Sequence, residues 1–188
     1  MKSAWVRDVP ASIGWMLAAE HLPLNADCIK HVLDYLFREE HFYGALDAHT
    51  WSREQYAAYG ALYSPQQYTL IKMGRWTGKT TAIAGIAANL MIVKRNYRIC
   101  LVVPTMRCAH KLIEKINDFI GSKVTQVQKN NECIRTDNGN YVFVGSKRSI
   151  SADLILCDNI NHCKQDFIYG SILPVLELSR CKMLAFSD

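Results

Sequence analysis

The run Met73-Gly74-Arg75-Trp76-Thr77-Gly78-Lys79-Thr80-Thr81 constrains this chain more than any other stretch. It follows a short strand-like segment, Tyr68-Thr69-Leu70-Ile71-Lys72, and opens a run of small and apolar residues, Ala82 to Leu90, suited to a closely packed helix. Gly-Lys-Thr at a strand-to-helix junction is what a triphosphate-binding loop requires. Backbone N–H groups and the helix N-terminus cradle phosphate oxygens, the lysine reaches the β and γ positions, and the hydroxyl next to it can ligate Mg²⁺. On this reading Gly74, Gly78, Lys79, Thr80 and Thr81 form the phosphate cradle and Thr80 is also a metal ligand. The general pattern begins with a glycine seven positions before the Ser/Thr, and here that position is Met73. A chance Gly-Lys-Thr in an ordinary turn is the bland alternative; the flanking strand and helix argue against it.

With 188 residues, 49% of them apolar, the chain can bury a substantial core as one globular domain. No apolar run is long enough to span a bilayer, and the N-terminus lacks a secretory pattern, so neither a membrane nor secretion is expected. The seven cysteines (28, 100, 108, 133, 157, 163, 181) are scattered, without a CxxC pair, and several lie in apolar runs such as Ile99-Cys100-Leu101. Free thiols in a reducing compartment follow. Cys157, His162 and Cys163 lie close together but lack a fourth metal ligand, which favours a packing role. A net charge of +5 permits contact with nucleic acid without requiring it. Basic residues at 94–98 and at Lys147-Arg148 are explained at least as well by solvated loops.

Residues 1–64 read as a helical lead-in. Asn25 is a candidate N-cap, followed at helical spacing by Ile29, Val32, Leu33, Leu36 and Phe37. Ser52 with Gln55 predicts a capping box and a helix to about Leu62, while Trp5, Trp15 and Trp51 suit packing. From residue 65 onward strands and helices alternate. Tyr97 to Val103 reads as a strand buried on both faces, and Pro104-Thr105 leads into a helix with Ala109, Leu112, Ile113, Ile116, Phe119 and Ile120 on one side. Glu132 to Thr136 and Tyr141 to Val144, joined through Asn138-Gly139, predict a hairpin. Leu154 to Asp158 is a buried strand ending in a carboxylate, and Lys182 to Phe186 is a last strand, next to which a sheet edge is exposed unless another chain donates the missing strand. The alternation predicts a three-layer α/β fold with a mainly parallel sheet.

A phosphate loop needs a carboxylate on a neighbouring strand to support the Mg²⁺ shell, and Asp158 has that context. In ATP-hydrolysing motors the next residue is normally a glutamate that activates the attacking water; here it is Asn159. An amide can orient water but cannot take its proton at neutral pH. If another group supplies the base, Asp153, Glu177 and Asp188 are available in the sequence.

The loop from Gly74 to Thr80, with its arginine just inside, resembles the deviant phosphate loop of the viral large terminase, the DNA-packaging motor. The order that follows is similar as well: the strand from Arg98 to Pro104, the helix with Ala109, the hairpin with Asn138-Gly139, Asp158 at a strand end, then Ala185-Phe186-Ser187. The resemblance covers roughly residues 62–188. It implies an ASCE-type P-loop NTPase core over 65–188 that uses ATP and Mg²⁺; the family's separate nuclease domain is not expected here, because no Asp/Glu cluster remains beyond residue 158 to build one. It gives Lys79 and Thr80 the phosphate and metal roles, Arg75 the stabilisation of γ-phosphate charge, and Asp158 the support of Mg²⁺. Gln67 or Gln66 would contact adenine, Asn159 would stand at the catalytic carboxylate's position, and Arg148 would reach a neighbouring subunit's nucleotide. The implied partners are other motor subunits or a nuclease-bearing chain, and double-stranded DNA, in the cytoplasm or nucleus of an infected cell. Two departures accompany the resemblance: Asn159 replaces the glutamate, and the family continues beyond the point where this chain ends. Two function classes follow, an ATP-driven packaging motor and a terminase-like regulatory or adaptor protein with little or no hydrolysis.

Overall fold

The computed structural model describes residues 52–121, 125–130, 132–145 and 150–188. The expected helix after Asn25, the three tryptophans at 5, 15 and 51, Cys28 and Arg148 lie outside them. Among the described residues seven strands form one sheet, in the order β1-β7-β6-β2-β5-β4-β3. They are β1 (Tyr68–Lys72), β2 (Arg98–Val102), β3 (Gln126–Lys129), β4 (Cys133–Thr136), β5 (Tyr141–Val144), β6 (Leu154–Cys157) and β7 (Lys182–Ser187). Neighbours from β1 to β5 pair in parallel, and β4 is antiparallel to both β5 and β3. The principal helices are α1 (Arg53–Gly60), α2 (Lys79–Val93) and α3 (Met106–Ile120). A short helical stretch follows β6: α4 (Gln165–Phe167), a π-turn (Ile168–Ile172) and α5 (Leu173–Leu178).

Strand alternation creates two cores. Ile99 and Leu101 of β2, Leu154 and Leu156 of β6, and Leu184 and Phe186 of β7 face one way, onto α1, α2 and α3. Cys100 and Val102, Ile155 and Cys157, and Met183 and Ala185 face the other way, onto Ile172 and Leu176. Helices on both faces of a sheet need strands that are apolar on both sides, which explains the continuous apolar runs of β2 and β6. The fold is therefore three-layered and mainly parallel. Helix α1 joins the same core through Tyr56, Ala58 and Tyr59, and Asn89 of α2 donates to the Tyr59 hydroxyl at 2.7 Å.

The predicted capping box is present: Ser52 Oγ accepts from Gln55 N at 3.3 Å, and Gln55 Oε1 accepts from Ser52 N at 2.8 Å. The hairpin forms as β4 and β5, and Thr105 caps α3 by accepting from Cys108 N at 3.2 Å. One expectation is corrected. Strand β7 is not at an edge; it pairs with β1 on one side and β6 on the other, and among the described strands β1 is the outer one. The reason is the parallel crossover: the helical stretch after β6 returns the chain into the slot beside β6 rather than outside β1.

Candidate phosphate-binding site

The loop between β1 and α2 leaves the sheet at Met73, whose N–H donates to the Ser187 carbonyl at 3.0 Å. Met73 is buried in the core beneath the loop, so the residue standing at the pattern's first glycine contributes packing and a carbonyl. Thr77 closes the bend, donating from N at 3.4 Å and from Oγ1 at 2.8 Å to the Gly74 carbonyl. Trp76 (φ 66°) and Gly78 (φ 84°) turn left-handed, and the Trp76 ring projects fully into solvent. Gly78 is the N-cap of α2, so the N–H groups of the first turn point outward without intrahelical partners. Together with the helix dipole they make an electropositive helix end suited to phosphate.

Lys79 is buried, and its Nζ donates to the Met73 carbonyl at 3.0 Å and to Asp188 Oδ1. Arg75 is exposed, with Nε 3.7 Å from Asp188 Oδ2. Thr80 Oγ1 donates to Asp158 Oδ2 at 3.3 Å, which brings the loop and the end of β6 together as expected. Asp158 is only 4% exposed, and burial raises its carboxyl pKa above the ordinary value; the hydrogen bond from Thr80 and the charge of Lys79 oppose that rise. Asp158 Oδ1 and Asn159 Oδ1 are both buried without a hydrogen-bond partner. The orphaned Asp158 oxygen, on a carboxylate already bonded to the Thr80 hydroxyl, suits a hydrated divalent cation. Among the described residues no three His, Cys, Asp or Glu side chains gather as a self-sufficient metal site. A cation here would therefore take its remaining ligands from phosphate and water, which is the usual habit of Mg²⁺.

Asn159 has φ 52°, and its carbonyl accepts from His162 N at 2.8 Å to begin the next turn. Asparagine visits this left-handed region more readily than glutamate does, which gives a local physical reason for the residue found here. Cys157 and Cys163 flank this carboxylate turn with sulfurs 3.8 Å apart, and both remain thiols. The described cysteines form no disulfide, and burial pushes Cys100 up to about 12.

The structure does not bring every predicted residue into the cluster. Gln67 precedes β1, at the strand end away from the loop, and its amide donates to the carbonyls of Leu176 and Ser179, anchoring the end of α5. Gln66 is exposed, and its N–H donates to Ser64 Oγ at 3.2 Å. Of the three other carboxylates, Asp153 accepts from Arg98 N at the far end of β6, and Glu177 is on an exposed helix face. Asp188 alone is at the loop. Three contacts had no signal in the sequence: Lys115 of α3 donates to Thr81 Oγ1 at 2.8 Å, Gln55 Nε2 donates to the Gly78 carbonyl at 3.2 Å, and Asp188 meets Lys79. Each joins residues more than twenty positions apart, so no local pattern reveals it.

No family model and no curated protein matches the sequence. Solved structures do. The Thermus phage P74-26 large terminase ATPase domain aligns with a TM-score of 0.56 at 14% identity, over 66% of this chain and 60% of that one. The chain has the fold of a phage large-terminase ATPase domain. A point mutant of the same phage domain gives a TM-score of 0.55 at 15% identity, over 69% of this chain and 63% of that one. This chain thus spans about three fifths of the terminase domains it matches. At such identity the likeness is one of fold.

Proposed function

We propose that this protein binds ATP·Mg²⁺ at the loop from Gly74 to Thr81 and serves as the nucleotide-binding part of a terminase-like DNA-packaging machine. The observation that carries the reading is the meeting of Thr80 with a buried Asp158 that keeps one oxygen free, directly beside Lys79 and the N-terminus of α2. Lys79 would turn from its internal partners to the β and γ phosphates, Thr80 and Asp158 would hold the Mg²⁺ shell, and Arg75 would lie against the γ-phosphate. The Mg²⁺ supplies charge neutralisation between the phosphates. The fold supports partnership with other motor subunits, a nuclease-bearing chain and double-stranded DNA. Among the described residues no helix is long and apolar enough to cross a membrane.

A second reading is favoured by one residue. Asn159 cannot act as general base, and losing such a base costs about 10²–10⁴ in rate. On that reading the protein binds nucleotide but turns it over slowly, as a regulatory or adaptor subunit. Steady-state ATP hydrolysis, with and without duplex DNA, separates the two for the wild type and Asn159→Glu. A motor is expected to turn over in the wild type and respond to DNA. An adaptor is expected to be silent until the glutamate is restored. Silence in both proteins despite nucleotide binding would overturn the motor reading.

A further inference from the structure

Asp188 stands at the tip of β7, where the strand emerges beside the phosphate loop. Both of the loop's cations are directed at it: Lys79 donates to Oδ1, and Arg75 Nε lies 3.7 Å from Oδ2. The hydrogen bond from Lys79 chiefly, then the charges of Lys79, Arg75 and His162, hold its carboxyl below the usual carboxylate range, so it is anionic at neutral pH. Stability explains part of the arrangement, since Asp188 partners the buried ammonium of Lys79. It does not explain Arg75, which is 79% exposed against a carboxylate 35% exposed, because an ion pair so open to water contributes little. The geometry has a clearer chemical meaning. A lysine and an arginine converging on one pair of carboxylate oxygens make the pattern that the end of a polyphosphate chain would present to them.

We propose that Asp188 is an internal plug of the phosphate slot: its carboxylate stands in for the terminal phosphate on Lys79 and Arg75, and an incoming triphosphate must displace it. The inference rests on reading the loop as a nucleotide site. Displacement follows from charge, because the carboxylate and a γ-phosphate cannot share Lys79 at close range without repulsion. The apparent affinity of the slot is therefore reduced by the fraction of molecules in which it is plugged. Asp188 continues directly from β7, whose Ser187 carbonyl receives the Met73 N–H, so expelling the carboxylate also disturbs the junction of β7 with the loop. Nucleotide occupancy is thereby coupled to a central strand of the sheet.

The test is equilibrium binding of ATP·Mg²⁺ and of tripolyphosphate·Mg²⁺ to the wild type, Asp188→Asn and Asp188→Ser, with Lys79→Ala as the control. Thermal midpoints verify that each variant is folded; Asp188→Asn keeps the shape and an acceptor for Lys79, and Asp188→Ser guards against an effect peculiar to the amide. Both Asp188 variants are expected to bind each ligand about tenfold more tightly than the wild type, and Lys79→Ala to abolish the gain. A gain for tripolyphosphate alone, with no ATP bound by any protein, would uphold the plug and overturn the nucleotide reading. Equal or weaker binding by the Asp188 variants, beside Lys79-dependent ATP binding in the wild type, would overturn the plug and leave the nucleotide reading standing. Failure of both ligands to bind any of the folded proteins would overturn both.

Discussion

Gly74 and Gly78 look alike in the sequence, yet only one of them is fixed by its backbone. Gly78 has φ +84°, and a Cβ there would run into the Gln55 amide. A methyl group on Gly74 would meet only Thr77 Cγ2, at an ordinary 3.5 Å. Gly78→Ala is therefore expected to cost about 1–2 kcal/mol from the left-handed conformation alone and to break the Gln55 contact as well. Gly74→Ala is expected to stay within about 0.5 kcal/mol of wild type. Urea unfolding of the two variants checks this, and equal destabilisation would contradict the account of the loop. Phosphate-binding chemistry was legible at this scale because Gly-Lys-Thr encodes it locally. The departure at Met73 was visible but not its cause, which is burial of the side chain under the loop. The turn at Asn159 was equally hidden: a residue name does not reveal φ, and asparagine is compatible with both strand end and left-handed turn.

Helix α2 is held at its two ends by different means. At its N-terminus Gln55 links the cap of α1 to the Gly78 carbonyl, so α1 braces the phosphate loop as well as filling the core. At its C-terminus the hairpin turn supplies two amides. Asn138 Nδ2 donates to the carbonyls of Met91 and Lys94 at 3.1 and 3.3 Å, and Asn140 Nδ2 donates to the same pair at 2.8 and 2.7 Å. Asn140 is fully buried, and its Oδ1 accepts from Tyr97 N at 2.8 Å. Asn140→Ala strands these groups, and a loss of about 1–3 kcal/mol is expected in denaturant unfolding, with the larger end favoured because three bonds go at once. A loss under about 0.5 kcal/mol would show that Asn138 or water takes over. The hairpin itself was legible from Asn138-Gly139 between two apolar runs. Its use as a helix cap was not, because the turn and the end of α2 are more than forty residues apart. Strand β3 has no signature in the sequence, because Gln126–Lys129 carries a single apolar residue and no alternation strong enough to announce a strand.

Across the whole molecule the sequence conveyed the layers but not the order of the strands. Continuous apolar runs in β2 and β6 require helices on both sides, so three layers followed from composition by segment. The position of β7 did not follow. Being last in the chain, it invites placement at an edge, whereas the crossover after β6 inserts it between β6 and β1. That insertion sets Asp188 against Lys79, residues 109 positions apart, and among the described strands it leaves β1 outermost, with Tyr68 and Leu70 exposed at 43% and 45%. The candidate site is thus assembled from the C-terminal ends of β1, β6 and β7, three strands that are distant in sequence and adjacent in the sheet. Such a site functions as one unit only if the slot beside α2 accepts a triphosphate. Titration of the purified protein with ATP·Mg²⁺, alongside Lys79→Ala and with Mg²⁺ withheld by chelation, tests that most directly. Saturable binding that falls at least about tenfold in Lys79→Ala, and weakens without Mg²⁺, is the predicted result. Binding unchanged by Lys79→Ala, or no binding by a folded wild type, would contradict the account.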